Sequence, residues 1–393
     1  MNDVIVIGAG MVGSAAALGL ARQGLSVILV EAFEPNTLFQ PEAVDNRVSA
    51  LTRASEKLLV DLGVWAEMQA MRVMPYSDMH VWDAEGQGSI HFDAAELAEP
   101  SLGHIVENHV TQLALWHAMQ QMKNIQIICP DAVVAVDRKA DVSMVTLKSG
   151  QQLGASLVVV ADGKNSVVRD LLGIETQGWL YDQHALVATV KTGAGHRNTA
   201  WQRFMPEGPL AFLPLGIDGD KSCSIVWSTT PEKAEQLQLM ADAQFCAALT
   251  LASEGRLGEI TAVESRAVFP LELKHATTYI REGYVLVGDA AHAIHPLAGQ
   301  GVNLGFQDIE ALLSLVSQAG QQGRDIGSWR ILRQFERQRK GANMTMLAAM
   351  DVFKRLFSNR FKPVSVIRNA GLSMVDNLGP IKHFFVRYAM GLD

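Results

Sequence analysis

The sequence predicts an α/β fold into which a mainly antiparallel β-sheet is inserted, followed by a C-terminal helical region. Three observations support this prediction. A glycine-rich turn links the first apolar strand to an Ala-rich helix, two later apolar strands end in an acid beside a glycine, and residues 173–273 change to alternating strands. Fully apolar strands are typical of a parallel sheet, and strands of alternating polarity are typical of an antiparallel one.

The N-terminal segment carries every part of a dinucleotide-binding fingerprint in order. Gly8, Gly10 and Gly13 follow the first strand, and a second strand at 27–30 ends in Glu31. The first glycine makes the tight turn, the second lets the backbone approach a pyrophosphate, and the third lets the helix pack on the strand. Glu31 can then bind ribose hydroxyls. We predict a Rossmann-like, three-layer nucleotide domain here, with an empty βαβ unit as the alternative.

A second ligand-binding crossing is predicted at 285–305. Its apolar strand ends in Gly288 and Asp289, at the carboxyl edge where open α/β sheets hold their ligands. Asp289 can accept hydrogen bonds from sugar-like hydroxyls, and a helix that begins near Val302 would direct its positive end at the ligand. The loop contains residues that allow the backbone to approach a flat or anionic group: Pro296, Gly299, Gly301 and Gly305. A plain strand, turn and helix is the alternative.

Two further polar sites lie between these crossings. The buried strand at 157–160 leads to Asp162 and Gly163, which repeats the pattern of Gly288 and Asp289. Asp162, with Ser166 and Arg169 after it, is interpreted as a second cofactor-facing turn, and ordinary helix capping is the alternative. Arg47 can reach a cofactor phosphate or ribose, or can be a solvated charge at a helix entry.

The inserted sheet can form one wall of an apolar cavity. Phe212, Leu213 and Trp227 lie on its predicted strands and are candidates for contact with a substrate ring. Core packing is the alternative for each aromatic side chain. One helical stretch, 231–252, interrupts the strands.

Composition and charge narrow the class of protein. The 393 residues predict two or three domains, and we expect a cytoplasmic location because no leader and no membrane-length apolar run are present. Three scattered cysteines lack metal-ligand spacing, so no metal site is predicted. The net charge of −8 argues against nucleic acid, but residues 321–393 carry 13 Lys or Arg against 5 Asp or Glu. This basic tail suggests peripheral contact with an anionic membrane or partner, or a solvated helix face.

The motifs resemble those of the aromatic-ring flavoprotein monooxygenases of the para-hydroxybenzoate hydroxylase group. Within that group the sequence is most similar to the ubiquinone-biosynthesis hydroxylases. The group resemblance rests on segments 8–13, 161–163 and 288–292. The closer resemblance rests on segments 47–50, 62–65, 106–108, 295–305 and 388–392, so it extends over the chain.

The resemblance implies FAD as the cofactor. Gly8, Gly10, Gly13 and Glu31 would bind its ADP half, and Asp289 its ribitol. The residues implied beside the flavin ring are Gly299, Gln300, Gly301, Val302 and Asn303. The turn at Asp162 and Gly163 would border both FAD and the path of NAD(P)H. The chain has no second GxGxxG unit, and the resemblance implies that NAD(P)H docks transiently.

The implied reaction is hydroxylation of a prenylated phenol or quinol ring with O2, a reaction for which the chain supplies orientation and a dry cavity. His292 and His295 are candidates for a base, with structural loop histidines as the alternative. Contact with other ubiquinone-biosynthesis proteins is also implied. A nicotinamide dehydrogenase would leave 288–305 without a role, and a non-catalytic prenyl-binding escort protein could use the same cavity.

The predicted domains are discontinuous along the chain. We assign the FAD-binding domain to 1–75, 104–172 and 275–330, the substrate-binding sheet to 76–103 and 173–274, and the C-terminal helical region to 331–393.

Overall fold

The structure is a computed structural model that describes residues 2–86, 88–293, 301–357 and 390. The strands are β1 (Asn2–Ile7), β2 (Val27–Val30), β3 (Val48–Thr52), β4 (Met74–Tyr76), β5 (Asp78–Asp83), β6 (Ser89–Asp93), β7 (Gly103–Glu107), β8 (Ile125–Ile128), β9 (Val133–Lys139), β10 (Val142–Leu147), β11 (Gln152–Val160), β12 (Thr176–Thr192), β13 (Thr199–Met205), β14 (Gly208–Leu215), β15 (Ser222–Thr229), β16 (Ile260–Ala276), β17 (Ile280–Arg281), β18 (Tyr284–Leu286) and β19 (His292–Ala293).

The helices are α1 (Met11–Arg22), α2 (Arg53–Asp61), α3 (Trp65–Met71), α4 (Asn108–Gln120), α5 (Val167–Leu171), α6 (Pro231–Leu239), α7 (Asp242–Ala252), α8 (Gly301–Gln321) and α9 (Trp329–Phe357). Short 3-10 helices cover Ala94–Leu97 and Gly288–Ala290. Within the described ranges, no helix is long and apolar enough to cross a membrane.

The first sheet is built around β1. This strand pairs in parallel with β2 on one side and with β11 on the other, and β8 and β18 extend the sheet in parallel at either end. The run at 157–160 is fully buried in β11, so the predicted parallel strand is confirmed. Helix α1 packs on this sheet between α4 and α8. The carboxyl ends of β1, β2, β11 and β18 therefore lie along one edge.

The glycines of the first turn hold β1 and α1 together. Gly8 has a φ of 100°, in the left-handed region that favours glycine, and a Cβ there would overlap the carbonyl oxygen of Ala161. A Cβ on Gly13 would overlap the carbonyl oxygen of Gly8. Helix and strand can approach this closely because both positions lack a side chain.

The second sheet has the order β19-β16-β12-β15-β14-β13-β5-β6. Its pairs are antiparallel except for β5 and β13, which run in parallel. The predicted single helix at 231–252 is two helices, because Met240 is extended at the end of α6. That break lets Leu237 of α6 and Phe245 and Leu249 of α7 enter one core on the same face of the sheet.

A three-stranded sheet, β3-β7-β4, lies against the other face of the second sheet. Ala50 and Ile105 of the small sheet share a core with Ala211 and Leu213 of β14. Helices α6 and α7 thus cover one face of the second sheet, and the opposite face is directed at the three-stranded sheet β3-β7-β4.

Helix α9 begins at Trp329, two residues before the predicted C-terminal helical region, and packs on α8 and β17. Leu332 and Phe335 are fully buried in the core that also contains the first sheet. Of the predicted C-terminal helical region beyond residue 357, the structure describes only residue 390.

Candidate active site

The cofactor-type turns, which follow β1, β11 and β18, meet around Val12 in the first turn of α1. A Cβ on Gly288 would lie 3.2 Å from the Val12 side chain, and a Cβ on Gly305 would lie 2.5 Å from it. The turns after β1 and β18 and the start of α8 are therefore in close contact. The turn after β11 joins them, since Gly8 packs on Ala161.

Glu31 lies at the end of β2 with its carboxylate beside the glycine turn. Its Oε2 accepts a hydrogen bond from the Ala9 N–H at 2.6 Å, and its Oε1 accepts one from the Phe33 N–H at 3.0 Å. A Cβ on Gly10 would meet no atom within 4 Å, so open space lies in front of the turn. Gly10 also precedes α1 without a side-chain cap, which leaves N–H groups free for an anion. These features fit the pyrophosphate and ribose of a dinucleotide.

Asp162 is half-buried at the end of β11 and is only partly satisfied. Its Oδ2 accepts a hydrogen bond from the Val168 N–H at 3.2 Å, whereas its buried Oδ1 has no hydrogen-bond partner in the described part of the chain. Burial raises the pKa of this carboxyl above its usual value. An unpaired buried oxygen is costly, so a donor on a bound ligand would stabilise it.

Ser166 and Arg169 have structural contacts in this turn. Ser166 caps α5 by accepting a hydrogen bond from the Arg169 N–H at 2.9 Å. The Arg169 side chain is fully buried and donates to the carbonyl oxygens of Lys164 at 3.0 Å and Ala290 at 3.2 Å. Helix capping, the alternative given from the sequence, is therefore observed for Ser166, and Arg169 connects the Asp162 turn to the Asp289 turn; contact of either side chain with a cofactor stays a prediction.

Asp289 projects from the 3-10 helix after β18 and is solvent-accessible. Desolvation by the surrounding protein nevertheless raises the pKa of its carboxyl, while the positive charges of His292, Arg47 and Lys164 act in the opposite direction. The Arg47 side chain is exposed and near enough for its charge to act on this carboxyl.

His292 lies behind this turn and not on its surface. The residue is 2% exposed, and its Nε2 is 2.6 Å from Oδ2 of Asp308. Burial alone would lower the pKa of His292, but the Asp308 carboxylate raises it. The remaining candidates from the loop lie outside the described residues: His295, Pro296, Gly299 and Gln300.

Asn303 is buried, and both polar atoms of its side chain form hydrogen bonds within the protein. Its Oδ1 accepts from the Thr52 N–H at 3.0 Å and from Ser55 Oγ at 2.7 Å, and its Nδ2 donates to the Ala50 carbonyl oxygen at 2.8 Å. The side chain thus ties α8 to β3 and α2. Gly301 and Val302, which begin α8, are half-buried.

The three predicted substrate residues do not line a common surface. Phe212 and Trp227 belong to the core between the second sheet and α6 and α7, where they are 0% and 3% exposed. Leu213 points to the opposite face, since successive strand residues alternate, but the small sheet covers it. The prediction of one wall formed by these three side chains is therefore wrong, because strand parity separates them.

A different set of side chains is accessible on the face that Leu213 shares. Val187 of β12 lies opposite Ala267 of β16 and Val226 of β15, so the three side chains form a row across the sheet. Phe269, two residues after Ala267, has the same orientation and is 42% exposed. Asn46, next to Arg47, donates to Ser265 Oγ of this strand at 2.7 Å. This apolar face therefore borders the loop that carries Arg47.

Comparison with known proteins gives three findings. A family model described as an FAD binding domain matches residues 1–347. The chain is 40% identical to the 3-demethoxyubiquinol 3-hydroxylase of Escherichia coli (strain K12) over 391 residues, which cover 100% of this chain and 99% of that protein. It is 36% identical to the mitochondrial ubiquinone biosynthesis monooxygenase COQ6 of Xenopus tropicalis over 435 residues, with 98% of this chain and 93% of that protein covered.

A solved structure shares the fold. The p-nitrophenol 4-monooxygenase PnpA of Pseudomonas putida DLL-E4 superimposes with a TM-score of 0.78 at 19% identity, covering 100% of this chain and 98% of that one. The predicted fold class and the prediction of FAD are confirmed. The chain belongs to the FAD-binding-domain family of flavoproteins, in which it is similar over its full length to ubiquinone-biosynthesis hydroxylases.

Proposed function

We propose that this protein hydroxylates the aromatic ring of a polyprenylated phenol or benzoquinol intermediate in ubiquinone biosynthesis, using FAD, NAD(P)H and O2. The observation that carries the proposal is that the turns after β1, β11 and β18 meet at one edge of the first sheet, while the hydrogen bond from Asn46, next to Arg47, to Ser265 links the neighbouring loop to the accessible apolar face of the second sheet. The names of the full-length relatives support the pathway and the reaction type.

In this proposal the glycine turn and Glu31 hold the ADP half of FAD, and Asp289 and Arg47 contact its middle. The unpaired Asp162 Oδ1 accepts a donor from FAD or from the docking NAD(P)H. Bound FAD would supply the redox chemistry, namely acceptance of a hydride from NAD(P)H and activation of O2, so that one oxygen atom enters an electron-rich ring and the other leaves as water. The start of α8 at Gly301, Val302 and Asn303 lies beside the flavin ring, with backbone groups as the contacts, because the Asn303 side chain is already occupied.

The substrate ring lies against the row formed by Val187, Val226 and Ala267, with Phe269 at its open end. Small side chains leave room for a flat ring and its greasy substituent, and they bring no polar group that would hold water. Excluding water is the task of this wall, since water that reaches the activated cofactor diverts O2 to H2O2. No base is assigned among the described residues, because His292 is buried and paired with Asp308.

We also propose that the exposed face of α9 contacts an anionic membrane surface. Leu332 and Phe335 anchor the helix to the body, while Arg330, Arg333 and Arg337 remain exposed. A basic face of this kind is attracted to anionic lipid and would bring the enzyme to a lipid-borne substrate. Co-sedimentation with vesicles of anionic and of neutral lipid, each at low and high salt, tests it; equal binding to all of them, or none, contradicts it.

The reaction is tested by following oxygen from labelled O2 into the product of a prenylphenol. We expect NAD(P)H oxidation to be coupled to O2 uptake, with one labelled atom in the ring and little H2O2. Label that arrives from water, or reduction of the substrate without O2, would refute the monooxygenase and leave another flavin-dependent oxidoreductase. A purified protein that binds the prenylphenol but never oxidises NAD(P)H would favour an escort protein.

A further inference from the structure

A buried carboxylate lies directly behind the turn that carries Asp289. Oδ2 of Asp308, on α8, accepts a hydrogen bond from the Gly288 N–H at 3.1 Å and lies 2.6 Å from His292 Nε2. Its Oδ1 accepts from Arg339 Nε at 2.7 Å and from Asn343 Nδ2 at 3.3 Å, both on α9. One side chain thus connects both ends of the Asp289 turn to the C-terminal helix.

The cluster is stable only when it is complete. Asp308 and Asn343 are fully buried, and His292 and Arg339 are nearly so. Burial would raise the pKa of Asp308, but the charges of His292 and Arg339 hold it below its usual value. The opposite charges and hydrogen bonds therefore offset the desolvation of each group, and removal of one partner leaves another buried without compensation.

Helix α9 also holds the chain before the turn. Glu336 Oε1 accepts hydrogen bonds from the Tyr279 N–H at 2.9 Å and from Thr278 Oγ1 at 2.6 Å. Lys340, one turn later, donates to the Thr277 carbonyl oxygen. Contacts from one face of α9 thus fix the segment 277–292 at its start and at its end, with Asp289 between them.

We infer that Asp308 and Arg339 are positioning residues for the Asp289 turn, so that α9 sets how firmly and in what orientation FAD is held. This inference rests on the proposed role of Asp289 in binding FAD. Both side chains are buried, and they would act through the Gly288 N–H and His292. When this buried charge pair is broken, the turn at 288–292 loses its fixed geometry. FAD binding then has to order the turn again, which weakens the binding.

The test compares Arg339→Met with Gln338→Met in the full-length protein. Gln338 is the preceding residue of α9 and is exposed, so the control introduces the same side chain on the solvent side. We expect Arg339→Met to raise the Kd for FAD by about tenfold, which is about 1.4 kcal/mol. The visible circular dichroism of the bound flavin should change, and the fraction of O2 released as H2O2 should increase. Arg339→Lys, which keeps the charge, should restore part of each property.

A merely structural role predicts a different result. The melting temperature would fall equally in the FAD-free and FAD-saturated proteins, while the Kd, the dichroism and the H2O2 fraction stayed as in the parent; that outcome overturns the inference. Should Arg339→Met not fold, Asn343→Ala removes the longest contact to Asp308, at 3.3 Å, together with the oxygen that accepts from Arg339 Nη2 at 2.8 Å, and should show changes in the same direction. An unaltered Kd in Asn343→Ala would equally count against the inference.

Asp289→Ala separates this inference from the proposed site. A loss of FAD affinity in Asp289→Ala but not in Arg339→Met would retain the site and reject the positioning residues. Unchanged FAD affinity in Asp289→Ala would reject the proposed role of the turn itself.

Discussion

Replacement of Phe212 tests whether the second sheet is oriented as described. Its side chain is fully buried between β14 and helices α6 and α7. Truncation of such a Phe to Ala costs about 3–5 kcal/mol, because contacts are lost and a cavity remains. Domain stabilities are roughly 5–15 kcal/mol, so Phe212→Ala should remove a large part of the free energy of unfolding. Urea denaturation followed by tryptophan fluorescence reports it, since Trp201 and Trp227 lie in this sheet.

The matched variant is Val187→Ala, on the opposite face of the same sheet. A half-buried Val loses two methyl groups, which costs at most about 1.6 kcal/mol. We expect the denaturation midpoint of this variant to shift only slightly. The variant should release more H2O2, because the smaller side chain enlarges the space beside the proposed substrate wall. Phe212→Ala, assayed where it is still folded, should keep the parent's coupling. The orientation is refuted by the reverse pattern, in which Phe212→Ala is stable and uncoupled while Val187→Ala is stable and fully coupled.

The remaining predictions concern the cofactor turn and the buried charge pair. Gly13→Ala should be purified without flavin absorbance, because its Cβ would overlap the Gly8 carbonyl oxygen; retention of full flavin would contradict the packing of the turn. For His292, the folded-state pKa lies above its ordinary value of about 6.5, so its stabilisation is complete below that pH and is lost as the pH rises through the folded pKa. For Asp308, the folded-state pKa lies below about 3.9, so its stabilisation is present above that pH and is lost as the pH falls through the folded pKa. The melting temperature should therefore decline on the alkaline side in the parent and much less in His292→Asn. Equal alkaline slopes in thermal melts of the two proteins would exclude a charged His292.

Local sequence patterns were sufficient for the cofactor turns. The spacing from Gly8 to Glu31 fixes a strand, a helix and a second strand, and the carboxylate does reach the Ala9 N–H at 2.6 Å. The position of Asp289 at a strand end also follows from the chain alone. Such positions depend on neighbours within one βαβ unit, so their geometry is set by short-range rules.

Contacts between distant segments could not be predicted in this way. The sequence pattern predicts Asp308 as an ordinary residue of an amphipathic helix, and it does not predict a contact with Arg339 or with Gly288. The error at Phe212 has a similar cause, because an apolar strand flanked by apolar residues does not reveal which face the helices will cover. The signal that was overlooked is the alternation itself, since Phe212 and Leu213 are adjacent and cannot share a wall.

The long strand β16 connects the proposed substrate wall to the Asp289 turn, which is proposed to bind FAD. It carries Ala267 and Phe269, and five residues after Phe269 its Lys274 pairs with Ala293, just beyond the Asp289 turn. At about 3.3 Å per residue, those five residues span roughly 17 Å. A substitution in the wall would alter its shape and leave this span unchanged. A one-residue insertion would lengthen the span and turn every later side chain to the other face, so it would disturb the Asp289 turn together with the wall.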